Sequence, residues 1–164
     1  MVSTINLKDL INTVPQVGEI NWIGLRTEKR IDLRVVQEVE VSVEMGLVGD
    51  HYQGSSKKRQ ITLIQAEHLK GVAAILGKET IDPSLTRRNI VVSGINLLSL
   101  QDQQFKIGEV ILETTGLCYP CSRMEENLGP GGYNAMRGHG GINAKVIKGG
   151  TIRVGDSVAL LAPE

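Results

Sequence analysis

Residues 30–44 read RIDLRVVQEVEVSVE, and apolar side chains fall at every second position: Ile31, Leu33 and Val35, then Val39, Val41 and Val43. A period of two sends successive side chains to opposite faces of an extended chain, so this run is one long strand or two strands with a break. A strand needs partners. EINWIGLR, ITLIQ, RRNIVVSG and FKIGEVILETTG all read as strands, the last turning at Ile107-Gly108-Glu109. INAKVIKGGTIRVGDSVALL reads as a hairpin turning at Gly149-Gly150, followed by a short strand entered through Val154-Gly155-Asp156. Against these stands one clear helix, QAEHLKGVAAILG, with Gly77 as its stop. Leu7, Leu10, Ile11 and Val14 also keep helical spacing until Pro15. Many short strands with few helices predict a mostly β (α+β), barrel-like domain with helical insertions over residues 17–164, preceded by a helical arm over 1–16.

A chain of 164 residues buries about 70% of the surface its unfolded form exposes, so it needs no metal or disulfide to be stable. Its 18 basic and 18 acidic side chains cancel, which argues against nucleic acid or an anionic membrane as the main partner. Local basic patches remain at Lys57-Lys58-Arg59 and Arg87-Arg88. No run approaches the roughly 18 apolar residues of a membrane helix, and the N-terminus has no secretory pattern. Two cysteines are too few for a disulfide framework in a domain this large. The expectation is a cytoplasmic protein with reduced thiols. Scarce aromatics imply an aliphatic core and weaken any reading that stacks nucleotides.

Both cysteines lie in GLCYPCSRMEENLGPGGYNAMRGHGG, residues 116–141. A segment that long between strands is functional or holds its own helix. As a zinc site, Cys118 and Cys121 need two more ligands, and only His51, His68 and His139 offer imidazole. As a redox pair, the motif lacks the βαβ setting of thioredoxins. As plain buried thiols, they have the wrong neighbours: Pro120, Ser122, Arg123 and glycines. These weaker readings stay beside a further one, a single nucleophilic or metal-ligating thiolate at Cys121, before SRMEENL, which can form a short helix. A helix N-terminus and Arg123 both favour thiolate over thiol. Arg59, Arg87 and Arg88 can grip phosphate in forked pairs, Asn89 adds an amide, and Asp50 and His51 sit in the glycine-flanked loop GLVGDHYQG. Each arginine taken singly reads as solvated surface. The glycines near His139 can turn backbone N–H groups toward an anion.

In order along the chain, GLVGDHYQG, RQITLIQAEHL, LTRRNIVVSGINLLSL, FKIGEVILETTG, CYPCSRMEENLG and INAKVIKGGTIRVGDSV resemble the MOSC domain, the C-terminal module of molybdenum cofactor sulfurases. The resemblance implies a mixed β-barrel and molybdenum cofactor as ligand. It places the signature cysteine at Cys121 as metal ligand, with Cys118 as an accessory or resolving thiol. It puts the pterin phosphate near Arg87 and Asn89; relatives often carry proline where this chain has Arg88. Three functions follow as alternatives: a molybdenum-cofactor-dependent oxidoreductase reducing N-hydroxylated compounds with an external electron donor; a persulfide sulfur carrier or transferase fed by a separate cysteine desulfurase; or a non-catalytic pterin- or partner-binding module. The chain is too short to carry the pyridoxal-phosphate domain fused to some such modules, so no pyridoxal phosphate is expected here. A homodimer through the N-terminal helix is a further expectation.

Overall fold

The computed structural model describes residues 4–27, 32–52, 54 and 56–162. Arg30 and Ile31 of the first alternating run, Gln53 and Ser55 of the predicted loop, and the extreme ends of the arm and domain lie outside the described residues.

The N-terminal helix α1 (Leu7–Ile11) is capped by Asn6, whose side chain accepts from the Asp9 N–H at 2.8 Å. Its apolar residues Leu7, Leu10 and Ile11 stay exposed, and Val14 behind it packs on the core. The alternating run forms two strands broken at Gln37: β2 (Arg34–Val36) and β3 (Glu38–Ser42). Val39 and Val41 face inward as the period requires. Val35 faces solvent, because the break at Gln37 separates its alternation from that of β3.

Seven strands close a mixed barrel: β1 (Gly18–Leu25), β5 (Ile61–Gln65), β6 (Ile90–Ser93), β7 (Gln104–Ile107), β8 (Val110–Leu117), β9 (Ile142–Lys148) and β11 (Ser157–Leu160). β11 pairs with both β7 and β1 and so seals the ring. β2 extends from β1, and a small second sheet holds β10 (Gly150–Arg153), β3 and β4 (Gly46–Leu47). β5 and β6 run parallel, joined by α2 (Ala66–Ile75) and a 3-10 turn at Pro83–Thr86. A second 3-10 turn spans Leu97–Leu100.

The predicted hairpin at Gly149-Gly150 does not form. β9 pairs with β5 and β8, whereas β10 pairs with β3 in the other sheet. The two glycines let the chain change sheets: a Cβ on Gly149 would lie 2.4 Å from the Val41 carbonyl oxygen, so only glycine permits that approach.

The barrel interior is aliphatic apart from the fully buried Phe105. A second cluster lies outside the barrel, where Ile64, Leu69, Val72 and Val91 meet Met124, Leu128, Ala135 and Met136. The last four come from α3 (Ser122–Leu128) and α4 (Gly132–Met136), the helices inside the long cysteine segment. β5 is therefore buried on both faces and reads as a continuous run, ITLIQ, rather than an alternation.

One register row crosses five strands: Ile23 opposite Ile90, Ile90 beside Leu63, Leu63 opposite Ile142, and Ile142 opposite Leu117. The chain just past this row on each strand carries Arg26, Arg87 to Asn89, Gly140 and Gly141, and Cys118. Barrel closure therefore gathers at one end residues far apart in sequence.

Candidate functional site

At that end the buried amide of Asn89 joins three strands. Its Oδ1 accepts from the Thr62 N–H and hydroxyl, each at 3.1 Å, and its Nδ2 donates to the Gly24 carbonyl at 3.0 Å. The same Nδ2 donates to Asp50 Oδ1 at 3.1 Å. The Asp50 carboxylate is fully buried and also accepts from Arg26, through its backbone N–H at 2.7 Å and its Nη2 at 3.0 Å. A buried carboxylate must be satisfied by such donors. Asp50 and Asn89 thus hold Arg26 in place. His51 donates its backbone N–H to the Arg26 carbonyl at 2.6 Å, with ring Nδ1 at 3.1 Å from the same oxygen. Sequence reasoning missed Arg26; the only local signal was a charge directly after the apolar strand GEINWIGL.

The cysteine segment forms the opposite wall. Cys118 is buried, its N–H donates to the Gly141 carbonyl at 2.9 Å, and its Sγ lies 3.9 Å from Arg59 Nη2. Cys121 is exposed and is the N-cap residue of α3, as the short-helix reading required. Arg88 is buried beneath them. It donates to the carbonyls of Gly140 (2.8 Å), Thr86 (3.0 Å), Tyr119 (3.3 Å) and Cys118 (3.4 Å). Burial lowers its pKa, and the two thiols and neighbouring arginines act beyond that. Arg88 is thereby a clasp between the cysteine segment, the Gly140 turn and the start of β6.

Arg87 adopts a left-handed backbone (φ 60°), uncommon for a residue with a side chain. Its pKa is lowered first by burial and then by Arg123 and Arg26, with Asp50 and Asp32 opposing. Arg26, Arg59, Arg87, Arg88 and Arg123 line one cleft of about 270 Å³ together with Cys118 and Cys121. No carboxylate lines it among the described residues. Clustered arginines can attract an anion, and thiolates can ligate a soft metal.

His139 does not line this cleft. Its ring meets His68 edge-on, with centroids 5.1 Å apart, and its Nδ1 is buried without a partner among the described residues. The pKa of His68 is lowered by burial and then by His139. No group of three or more His, Cys, Asp or Glu among the described residues could hold a metal, so the zinc reading of the cysteines has no support here. Nor does any described helix have the length and apolarity to cross a membrane.

Access separates the thiols. Iodoacetamide near neutral pH is expected to modify Cys121 well before Cys118, which is 3% exposed, because reagent access limits the buried thiol. Peptide mapping of partly alkylated protein reads the order, and faster labelling at Cys118 would refute it.

The model of the MOSC domain family matches residues 49–159. No curated protein matches the chain. Among solved structures, the YuaD protein from Bacillus subtilis superposes with a TM-score of 0.76 at 17% identity, covering 93% of this chain and 100% of that one. YiiM from Geobacillus stearothermophilus gives 0.69 at 18% identity, covering 88% and 75%. YiiM from Escherichia coli gives 0.65 at 17%, covering 89% and 71%. At such identities the likeness is one of fold. The 93% of this chain that the YuaD likeness covers is more than the family-matched residues 49–159 make up.

Proposed function

The chain belongs to the MOSC domain family, and on that premise we propose that its arginine cleft binds the phosphate-bearing pterin of a molybdenum cofactor, with Cys121 as a metal ligand. The observation that carries this reading is the meeting of five arginines and two cysteines along one cleft that no carboxylate lines among the described residues, with Arg26 paired to Asp50 and Arg88 bonded to carbonyls beneath it. The residues fit the group. Cys121 would supply one protein thiolate, and the pterin would bring the metal's other donors. A thiolate is the soft ligand that suits it.

When bound, the cofactor supplies two-electron chemistry: an N-hydroxyl compound takes two electrons from an external donor and two protons, and leaves as the N–H compound and water. The chain's own residues bind and orient. Arg87 and Arg123 grip the phosphate, and Asp50 and Asn89 hold Arg26 toward it. Arg88 fixes the backbone of Cys118 and Tyr119, which places Cys121 at the mouth of the cleft.

The test is the molybdenum and pterin content of protein purified from a host that makes the cofactor. Near-stoichiometric metal is expected, and Cys121→Ser is expected to lose most of it; a fall from about nine-tenths to about one-tenth occupancy takes roughly an 80-fold loss of affinity, or ~2.6 kcal/mol of ligation. Metal-free protein from such hosts would end this reading.

The paired thiols favour one alternative, a sulfur carrier. The exposed Cys121 would hold a persulfide, and Cys118 would attack it to form a disulfide and release the outer sulfur as hydrosulfide. An intact-mass gain of one sulfur atom after incubation with a cysteine desulfurase and cysteine, absent in Cys121→Ala, would select this alternative.

A further inference from the structure

Gln65 ends β5 and stands at the N-cap of α2, with His68 in the first turn that follows. Both border a cavity of about 50 Å³. Gln65 is only 8% exposed. Its Oε1 accepts from the Leu97 N–H at 3.0 Å, which fixes the way the amide faces, because only its oxygen can accept. The Nε2 group therefore points away from Leu97, and it donates to no described residue. A donor on so buried a side chain is costly to leave unmet.

The cavity is unlike the arginine cleft. Cys118 and Tyr119 border both, but no arginine, and no other residue of fixed charge, lines the cavity among the described residues. Leu97, Leu98, Leu117 and Pro120 make its walls apolar. Burial lowers the pKa of His68, and His139 lowers it further. At neutral pH its imidazole is therefore uncharged, and one ring nitrogen accepts a hydrogen bond. A charged ligand here would be desolvated without a counter-charge. Size is the other limit. An apolar cavity of about 150 Å³ takes benzene, so a third of that volume takes a group of about two or three carbons.

Gln65 asks for an acceptor and His68 for a donor, and a primary carboxamide carries both on one planar, neutral head. We infer that this cavity binds a short aliphatic carboxamide, its carbonyl on Gln65 Nε2, its N–H on the His68 ring and its alkyl end against Leu98, Leu117 and Pro120. The site is independent of the cofactor reading: neither an arginine nor a metal takes part. An occupant lies against Cys118 and Tyr119, the wall that the cavity shares with the cleft.

The experiment titrates the isotope-labelled full chain with isobutyramide, acetamide, isobutyrate and benzamide and follows side-chain amide and methyl signals by NMR. Isobutyramide is expected to bind in the millimolar range and to move the Gln65 amide and the Leu98 and Leu117 methyl signals. Acetamide lacks two of its carbons and should bind about tenfold more weakly. Isobutyrate keeps the shape but adds a charge, and benzamide carries a ring too large for the cavity, so both should bind more weakly than isobutyramide. Gln65→Met and His68→Ala should each weaken isobutyramide severalfold, the loss of one hydrogen bond. Gln65→Met also takes the acceptor from the Leu97 N–H; His68 is half-buried on a helix, so His68→Ala provides the test should the first variant not fold. No shift with isobutyramide in the tens of millimolar, shifts that miss Gln65, isobutyrate or benzamide binding as tightly, or an affinity untouched by His68→Ala would overturn the inference.

Discussion

Alanine at Gly141 is expected to destabilise the protein by about 3 kcal/mol or more, while alanine at Gly138 costs about 1–2 kcal/mol. Both glycines have left-handed backbones, with φ of 86° and 82°. That shared conformation sets the smaller cost, which any L-residue bears there. The difference is space. A Cβ on Gly138 meets nothing within 4 Å, whereas one on Gly141 would overlap the Leu63 carbonyl oxygen and sit 3.0 Å from Ile64 Cα. These are backbone atoms of the doubly buried strand β5 and cannot swing aside. Relief must come from moving the Gly140–Gly141 turn, which carries the carbonyls that accept from Arg88 and from the Cys118 N–H. The Gly141 variant should therefore also disturb the cysteine segment and speed alkylation of Cys118. Urea unfolding midpoints of the two variants measure the contrast. Similar midpoints would mean that the turn relaxes freely and that the packing of the site floor has been misread.

Removing the Asp50 carboxylate is expected to cost about 3–5 kcal/mol, the usual consequence of breaking a buried ion pair by deleting one partner. The partner Arg26 keeps some solvent access, with 17% of its side chain exposed, which places the expected value toward the lower end. Asp50→Ala leaves the Arg26 backbone N–H, the Arg26 guanidinium and the Asn89 amide short of acceptors at one point. For a domain this size the melting temperature should fall by about 10 °C. Asp50→Asn, which retains one acceptor oxygen, should lose less. Anion affinity provides the second readout. Without Asp50, Arg26 is no longer held toward the cleft, so phosphate should bind more weakly even at temperatures where the variant stays folded. A variant with unchanged melting temperature and unchanged phosphate affinity would show that this network is incidental.

Much of the site was legible one residue at a time. Asp50, Asn89, Arg87 and Cys121 stood out because polar or reactive side chains next to glycine turns and strand ends are poorly explained by core packing. What each does was not legible. Asn89 reads as a ligand contact in the sequence, yet its amide is spent on Thr62, Gly24 and Asp50. Arg88 reads as a phosphate grip, yet its donors reach four carbonyls. Arg26 carried no motif. His139, inside the glycine run that suggested anion binding, turns to His68 instead.

The amino-acid order by itself determined most of the strands, the helix α2 with its Gly77 stop and the seat of Cys121 before a short helix, since each rests on a period or a cap within a few residues; the two-residue strand β4 (Gly46–Leu47) is too short to carry a period and reads as loop. Only the tertiary structure decided that β9 and β10 part company at Gly149, that β5 and β6 pair in parallel, and that Arg26, Asn89, Cys118 and Gly141 share one end of the barrel. The reason is physical. A local pattern records which face of a segment is buried, but strand partners are chosen by closure of the whole ring, and one register row through Ile23, Ile90, Leu63, Ile142 and Leu117 sets every distance in the site.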